Sequence, residues 1–127
     1  GWADLDRLAA EARRSGLDVR LAVDDPGALG GGGEQAVVRV VREALGTCVR
    51  HANGAVVEVT IGPADGAASV AVRSRGGAPT ATAGQGGDGW GLQMLRERIT
   101  ALGGTFRAGP EPDGWLVEAR LPVEVRA

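Results

Sequence analysis

Residues 34–52 carry two stripes at helical spacing, one apolar and one polar. At about 100° per residue, the polar positions fall on a single narrow face of the predicted helix. That face comprises Arg39, Glu43, Thr47 and Arg50, with His51 at its edge. A carboxylate, a hydroxyl, guanidinium groups and an imidazole in one row are suited to polarising water or binding phosphate. A face of the same composition is also typical of a solvent-exposed helix, so the stripe alone does not decide between the two.

Two glycine-rich segments provide a second candidate for chemistry. Ser74-Arg75-Gly76-Gly77 follows a predicted strand, and Gly89-Trp90-Gly91-Leu92 leads into a predicted helix. Glycines at a helix start let the backbone approach an anion, which the free N–H groups and the helix dipole favour. A phosphate-binding loop and a flexible loop without a ligand both remain open. A nucleotide P-loop is excluded, because its lysine motif is missing and the chain contains no lysine.

The elements that must position these residues follow from hydrophobic periodicity. Helices are predicted at 2–15, 34–52 and 92–102, and strands at 18–24, 56–61, 69–73, 105–108 and 115–121. The segment 62–66 is typical of a hairpin connection, and 75–89 of a mobile loop. Strands that mostly neighbour each other in antiparallel fashion, with helices free to cover one face, predict a two-layer α+β sandwich.

The composition bounds the class of protein. With 127 residues the chain is long enough for one domain, predicted to span 1–127. A net charge of −2 argues against a nucleic-acid partner, and a single cysteine excludes an internal disulfide. No apolar run is long enough for a membrane span. Because the chain begins at Gly1, we expect it to be a piece of a longer protein.

Simple structural roles account for several other conspicuous side chains. Cys48 lies in the apolar stripe and is predicted to be a buried thiol, and Trp115 is predicted to be a core residue. Trp90, between two glycines, is expected either to cover an empty ligand site or to pack against the loop. Arg96 and Arg98 are predicted on an exposed helix face, with docking to a partner as the alternative.

Taken together, these segments resemble the ATP-binding domain of bacterial sensor histidine kinases. The run Arg42–Ala52 (REALGTCVRHA) is similar to the N box of that family. The run from Gly89 to Arg98 (GWGLQMLRER), continuing to Gly104, is similar to its second glycine box and following helix. Within that family, these runs are similar to those of kinases paired with helix-turn-helix response regulators of the nitrate/nitrite type. The resemblance covers essentially the whole chain and implies the fold shared with gyrase-type topoisomerases and Hsp90.

The resemblance also assigns roles to individual residues. It implies Glu43 as the catalytic carboxylate that polarises water or phosphate, and ATP with Mg²⁺ as the bound ligand. The residues implied in nucleotide binding are Thr47, Arg50, His51, Ser74, Gly76, Ala78, Gly89, Trp90, Gly91 and Leu92. His51, the single histidine, lies inside the N box and is not expected to be the phosphoacceptor, which the family carries on a separate dimerisation helix.

Three positions depart from the family pattern. Thr47 stands where the family has an asparagine that binds Mg²⁺, and Ser74 where it has an aspartate that accepts a hydrogen bond from the adenine amino group. Ala78 replaces a glycine of the first glycine box. A hydrogen bond to a charged acceptor contributes about 1.5–3 kcal/mol against about 1 kcal/mol for a neutral one. We therefore expect a degenerate site with weak or absent Mg-ATP binding and no protein ligands for a metal.

The resemblance further implies the setting of the domain. Its expected partners are the phosphoacceptor and dimerisation domain of the same protein, acting as a homodimer, and a response regulator, while the piece itself is expected to be monomeric. A cytoplasmic location is expected, with a parent protein that is either membrane-anchored or not. The alternatives are a non-catalytic pseudo-ATPase module, an anti-sigma-factor-type serine kinase or a small-molecule binder. The run LRERI followed by LGG favours the histidine-kinase branch over the serine kinase.

Overall fold

In a computed structural model the chain forms three helices packed on one face of a five-stranded sheet. The structure describes residues 2–29, 32–76, 78–79 and 89–123. The helices are α1 Ala3–Arg14, α2 Gly33–His51 and α3 Gly89–Ala101. The strands are β1 Asp18–Val23, β2 Ala52–Asn53, β3 Val56–Ala64, β4 Ala67–Arg75, β5 Ala78–Pro79, β6 Thr105–Glu111 and β7 Gly114–Pro122. No helix in this described part has the length and apolar character that crossing a membrane requires.

The large sheet has the strand order β1-β3-β4-β7-β6. β1 pairs with β3 in parallel, and the other three pairings are antiparallel. The predicted two-layer α+β sandwich with a mixed, mostly antiparallel sheet is therefore confirmed. A separate two-stranded pairing of β2 with β5, which the sequence did not predict, joins the end of α2 to the chain that follows β4.

The core lies between the helices and one face of the sheet. Alternate residues of β3, β4 and β7 point towards the helices, because successive side chains of a strand face opposite sides. The sheet contributes Val57, Val59, Ile61, Val70, Val72, Val117 and Ala119, and the helices contribute Leu5, Val37, Val40, Val41, Leu45, Leu95 and Ile99. The predicted apolar stripes of the three helices are thus confirmed, with Leu92 and Leu102 only partly buried.

The opposite face of the sheet carries charged side chains paired across the strands. Arg73 Nε donates to Glu111 Oε1 at 2.8 Å, and Arg75 pairs with Glu58. Such cross-strand pairs on an exposed face contribute only modestly to stability. Their exposure indicates that the helices among the described residues cover the other side of the sheet.

Two details of the strands differ from the sequence prediction. The hairpin between β3 and β4 is shorter than 62–66: the strands continue to Ala64 and Ala67, leaving only Asp65-Gly66 as the turn. Both turn residues have positive φ, +50° and +80°, which is the conformation of a two-residue turn matched to strand twist. In β1 the predicted alternation fails at its end, since Val23 is 48% exposed on an edge strand.

Candidate functional site

The end of β4 meets the second half of α2 at Ser74 and Cys48. Ser74 is 5% exposed and is the buried polar side chain among the described residues. Its hydroxyl lies beside the thiol of Cys48, which is 4% exposed and lies in the apolar stripe of α2. The predicted burial of Cys48 is confirmed. The contact fixes the position implied in base binding directly beneath the helix that carries the N-box residues.

Trp115 flanks Ser74 on the same face of the sheet. In the register of the sheet, Ser74 lies between Val57 of β3 and Trp115 of β7. Directly opposed residues in a sheet have their Cβ atoms about 4.5–5.5 Å apart. Trp115 is half-buried and packs against the core, as predicted. Its position beside Ser74 was not predicted. Only the pairing register of β4 with β7 could have revealed it.

Thr47 is bonded to its own helix. Its Oγ1 donates to the backbone carbonyl of Glu43 at 2.9 Å, so the hydroxyl proton is already used. A threonine that bonds the carbonyl four residues earlier is held close against the helix surface. Both Thr47 and the Glu43 side chain are half-buried, on the face that the periodicity predicted.

Arg50 and His51 lie at the carboxyl end of α2. The Arg50 guanidinium folds back over Gly46, with Nη1 3.3 Å from the point that a Cβ on Gly46 would occupy. His51 is half-buried and is the last residue of the helix. The chain then enters β2, whose Asn53 pairs with Ala78 of β5. This pairing brings the backbone of the two segments implied in nucleotide binding together.

The glycine segments are described in part. Gly76 has a φ of +69° and its N–H donates to the carbonyl of Asp113 at 3.1 Å, so the first segment turns as only glycine does readily. Gly89 begins α3, and Leu92 packs against the core. The structure does not describe Gly77 or the rest of the predicted loop at 80–88. It describes the backbone of Ala78 and of Gly89 to Gly91, and the side chains of Ala78 and Trp90 lie outside the described part.

The side chain at the position implied in metal binding, Thr47, is poorly suited to binding Mg²⁺ tightly. Mg²⁺ prefers near-octahedral coordination by oxygen, with carboxylate or amide oxygens among its best protein ligands. Here the implied position offers a short, neutral hydroxyl that is bonded to its helix. Within the described ranges, no three His, Cys, Asp or Glu side chains converge as a metal site. The arrangement can present neutral hydroxyls and cations to an anion.

The burial of Cys48 leads to a prediction about stability at high pH. Burial raises the pKa of the thiol, and the Ser74 hydroxyl opposes this only in part. The unfolded chain therefore releases the proton at lower pH, so stability should fall as pH rises above about 8.5, the ordinary thiol value. The chain has no tyrosine and no lysine, so apart from its amino terminus only this side chain titrates between about pH 9 and 11.

Urea unfolding at several pH values measures this effect. We expect the free energy of unfolding to decline through that range in the native chain and to stay nearly level in the Cys48→Ala variant. An equal decline in both chains would contradict the assignment.

A comparison with protein families settles the class. The model described as histidine kinase-, DNA gyrase B-, and HSP90-like ATPase matches residues 32–125. The chain belongs to this ATPase family. The predicted relation to the ATPases that include histidine kinases, gyrase-type topoisomerases and Hsp90 is confirmed, and members of this family bind ATP, usually with Mg²⁺. A comparison with curated proteins found no match to this chain.

Solved structures of histidine kinases have the same fold as this ATPase domain. Histidine kinase AdeS of Acinetobacter baumannii matches with a TM-score of 0.74 at 11% identity, over 97% of this chain and 64% of that one. Full-length ShkA in complex with AMPPNP matches with a TM-score of 0.71 at 22% identity, over 96% of this chain and 29% of that one. Mycobacterial sensor histidine kinase MprB matches with a TM-score of 0.69 at 20% identity, over 92% of this chain and 91% of that one. The domain thus spans under two thirds of the AdeS and ShkA chains.

Proposed function

We propose that this chain is the ATP-binding domain of a two-component sensor histidine kinase whose affinity for Mg-ATP is weakened. The observation that carries the proposal is that Thr47 and Ser74 present short, neutral hydroxyls, one held against its helix and the other buried in the sheet. Thr47 donates its hydroxyl proton to the Glu43 carbonyl, which holds the side chain close to the helix surface, and Ser74 is buried beside the Cys48 thiol. The two positions implied in holding metal and base therefore both offer a neutral hydroxyl, which is a weaker ligand for Mg²⁺ and a weaker acceptor for the base than the groups of the family pattern.

The remaining groups support residual anion binding. Glu43 would polarise water or phosphate, and Arg50 and His51 would face the phosphates. The second glycine segment, from Gly89 to Leu92, would approach them with its backbone at the start of α3. Histidine kinase catalytic domains normally act on a histidine in a dimerisation domain and then serve a response regulator. We expect the same partners for the parent protein of this domain, with a regulator of the nitrate/nitrite-paired type.

The alternative is a domain that keeps the fold as a non-catalytic interaction module. It is favoured by the same observation, because replacing both anchors removes more binding than replacing either one. The loss of about 1–2 kcal/mol at each position would lower affinity on the order of tens- to several-hundred-fold. A micromolar site would then become close to millimolar.

Titration calorimetry of Mg-ATP into the native chain tests the proposal. We expect a dissociation constant near the millimolar range, or no measurable heat. Repeating the titration in EDTA should change the result little, since Thr47 is not expected to hold the metal. A dissociation constant in the tens of micromolar that depends on Mg²⁺ would overturn the proposal.

A further inference from the structure

Three arginines from two helices line one groove on the helix layer. Arg39 and Arg42 come from α2, and Arg98 comes from α3. The groove has a volume of about 290 Å³ and is also lined by Asp4, Gln35, Ala36 and Val38. The sequence placed Arg39 on a polar stripe with Glu43. In the structure Arg39 still lies one turn before Glu43 on α2, and it also lies beside two other cations, Arg42 of the same helix and Arg98 of α3.

The positive charge of this groove is largely uncompensated. In the portion of the chain that the structure describes, no carboxylate forms an ion pair with Arg39, Arg42 or Arg98. Asp4 is the acidic side chain in the lining, and it pairs with Arg7 at 3.2 Å. On the exposed face of the sheet, by contrast, Arg73, Arg75 and Arg107 each pair with a glutamate. The groove is therefore a local positive surface on a chain of net charge −2.

The shape of the groove favours an elongated ligand. Gln35, Arg39 and Arg42 are spaced i, i+4, i+7 along α2, which extends over roughly 10 Å at 1.5 Å per residue. The Arg98 guanidinium lies near the amino end of α2, with Nη2 3.1 Å from where a Cβ on Gly32 would be. Ala36 and Val38, which are buried, also line the groove and give it a small apolar floor. A single phosphate would fill only part of this row.

We propose that this groove is a docking surface for an acidic segment of a partner protein. Glutamate or aspartate side chains spaced along the segment would pair with the guanidinium groups, which bind carboxylates in a two-pronged geometry. Apolar side chains of the same segment would cover the floor. A nucleic acid fits less well, because its phosphate backbone needs a positive surplus along an extended surface, whereas the three arginines are confined to one groove of a chain of net charge −2.

Fluorescence anisotropy with a synthetic peptide tests the proposal. The probe is a fluorescein-labelled peptide of repeated Glu-Glu-Leu triplets, and its neutral match has repeated Gln-Gln-Leu triplets. The groove variant carries Arg39→Gln, Arg42→Gln and Arg98→Gln. The control variant carries Arg14→Gln, Arg107→Gln and Arg120→Gln, which remove the same charge from exposed positions elsewhere. Circular dichroism establishes that both variants are folded.

We expect the native chain to bind the acidic peptide and not the neutral one. The dissociation constant should rise about tenfold in the groove variant and change far less in the control. Equal weakening in the two variants, or equal binding of the two peptides, would overturn the proposal. Displacement of the peptide by millimolar inorganic phosphate would do so too, since it would indicate a simple anion site.

Discussion

The double variant Thr47→Asn/Ser74→Asp should bind Mg-ATP on the order of tens- to several-hundred-fold more tightly than the native chain. Asparagine would offer the metal an amide oxygen that reaches further from the helix than the Thr47 hydroxyl, which is bonded to the Glu43 carbonyl. Aspartate would offer the base a charged acceptor. Calorimetric titration of both proteins under the same conditions measures the difference.

Removing the metal should separate the contributions of the two substitutions to the affinity for ATP. In EDTA, the gain from Thr47→Asn should disappear, while the gain from Ser74→Asp should persist. Thr47→Asn/Ser74→Asn is a matched control, because it enlarges the side chain at position 74 without adding a charge. We expect its affinity to lie between those of the native chain and the double variant.

The same double variant should be less stable without nucleotide. Ser74 is 5% exposed and contacts the Cys48 thiol, so a carboxylate there loses much of its hydration. Ligand binding to the folded state should restore part of the loss, as mass action requires. Thermal unfolding with and without Mg-ATP measures both effects. A folded double variant that binds nucleotide no better than the native chain would contradict the roles assigned to Thr47 and Ser74.

Gly114→Ala should produce the largest loss of stability of any single substitution proposed for this chain. A Cβ at Gly114 would lie 1.8 Å from the Ser74 carbonyl oxygen and 2.7 Å from its carbon. Neither atom can move freely, because β4 is paired on both sides at this point. The end of the β4–β7 pairing would have to separate, which we expect to lower the free energy of unfolding by about 3 kcal/mol or more.

Gly109→Ala is the matched control for this substitution. Gly109 lies on β6, in the same hairpin, and a Cβ there would meet no atom within 4 Å. We expect its effect on the free energy of unfolding to stay within about 1 kcal/mol. Urea unfolding of both variants measures the comparison. Similar stabilities would show that the β4–β7 end, and with it the backbone at Ser74, adapts more easily than the structure indicates.

The helices and main strands could be predicted because their patterns are strong. α2 has an apolar stripe over five turns, and β3 and β4 alternate on either side of Asp65-Gly66. The pairing of β2 with β5 could not be predicted, because two residues on each strand show no alternation. It depends on the positions of α2 and β4, which bring the two segments side by side.

The candidate site was predictable as a set of residues but not as a set of contacts. The N-box run identified Thr47 and the strand end identified Ser74, yet the bond from Thr47 to Glu43 and the contact of Ser74 with Cys48 depend on side-chain conformation and packing. The arginine groove was missed for a related reason. The partners of Arg39 on the helix surface depend on where α3 lies, and helical periodicity alone does not give that position.

A crystal structure of the native chain grown with several millimolar Mg-ATP would test the central claim most directly. We predict that no Mg²⁺ is coordinated by Thr47 Oγ1 and that no adenine amino group is bonded to Ser74 Oγ. In that case Thr47 would still donate to the Glu43 carbonyl. A fully occupied nucleotide, with its metal on Thr47 and its base on Ser74, would contradict the account.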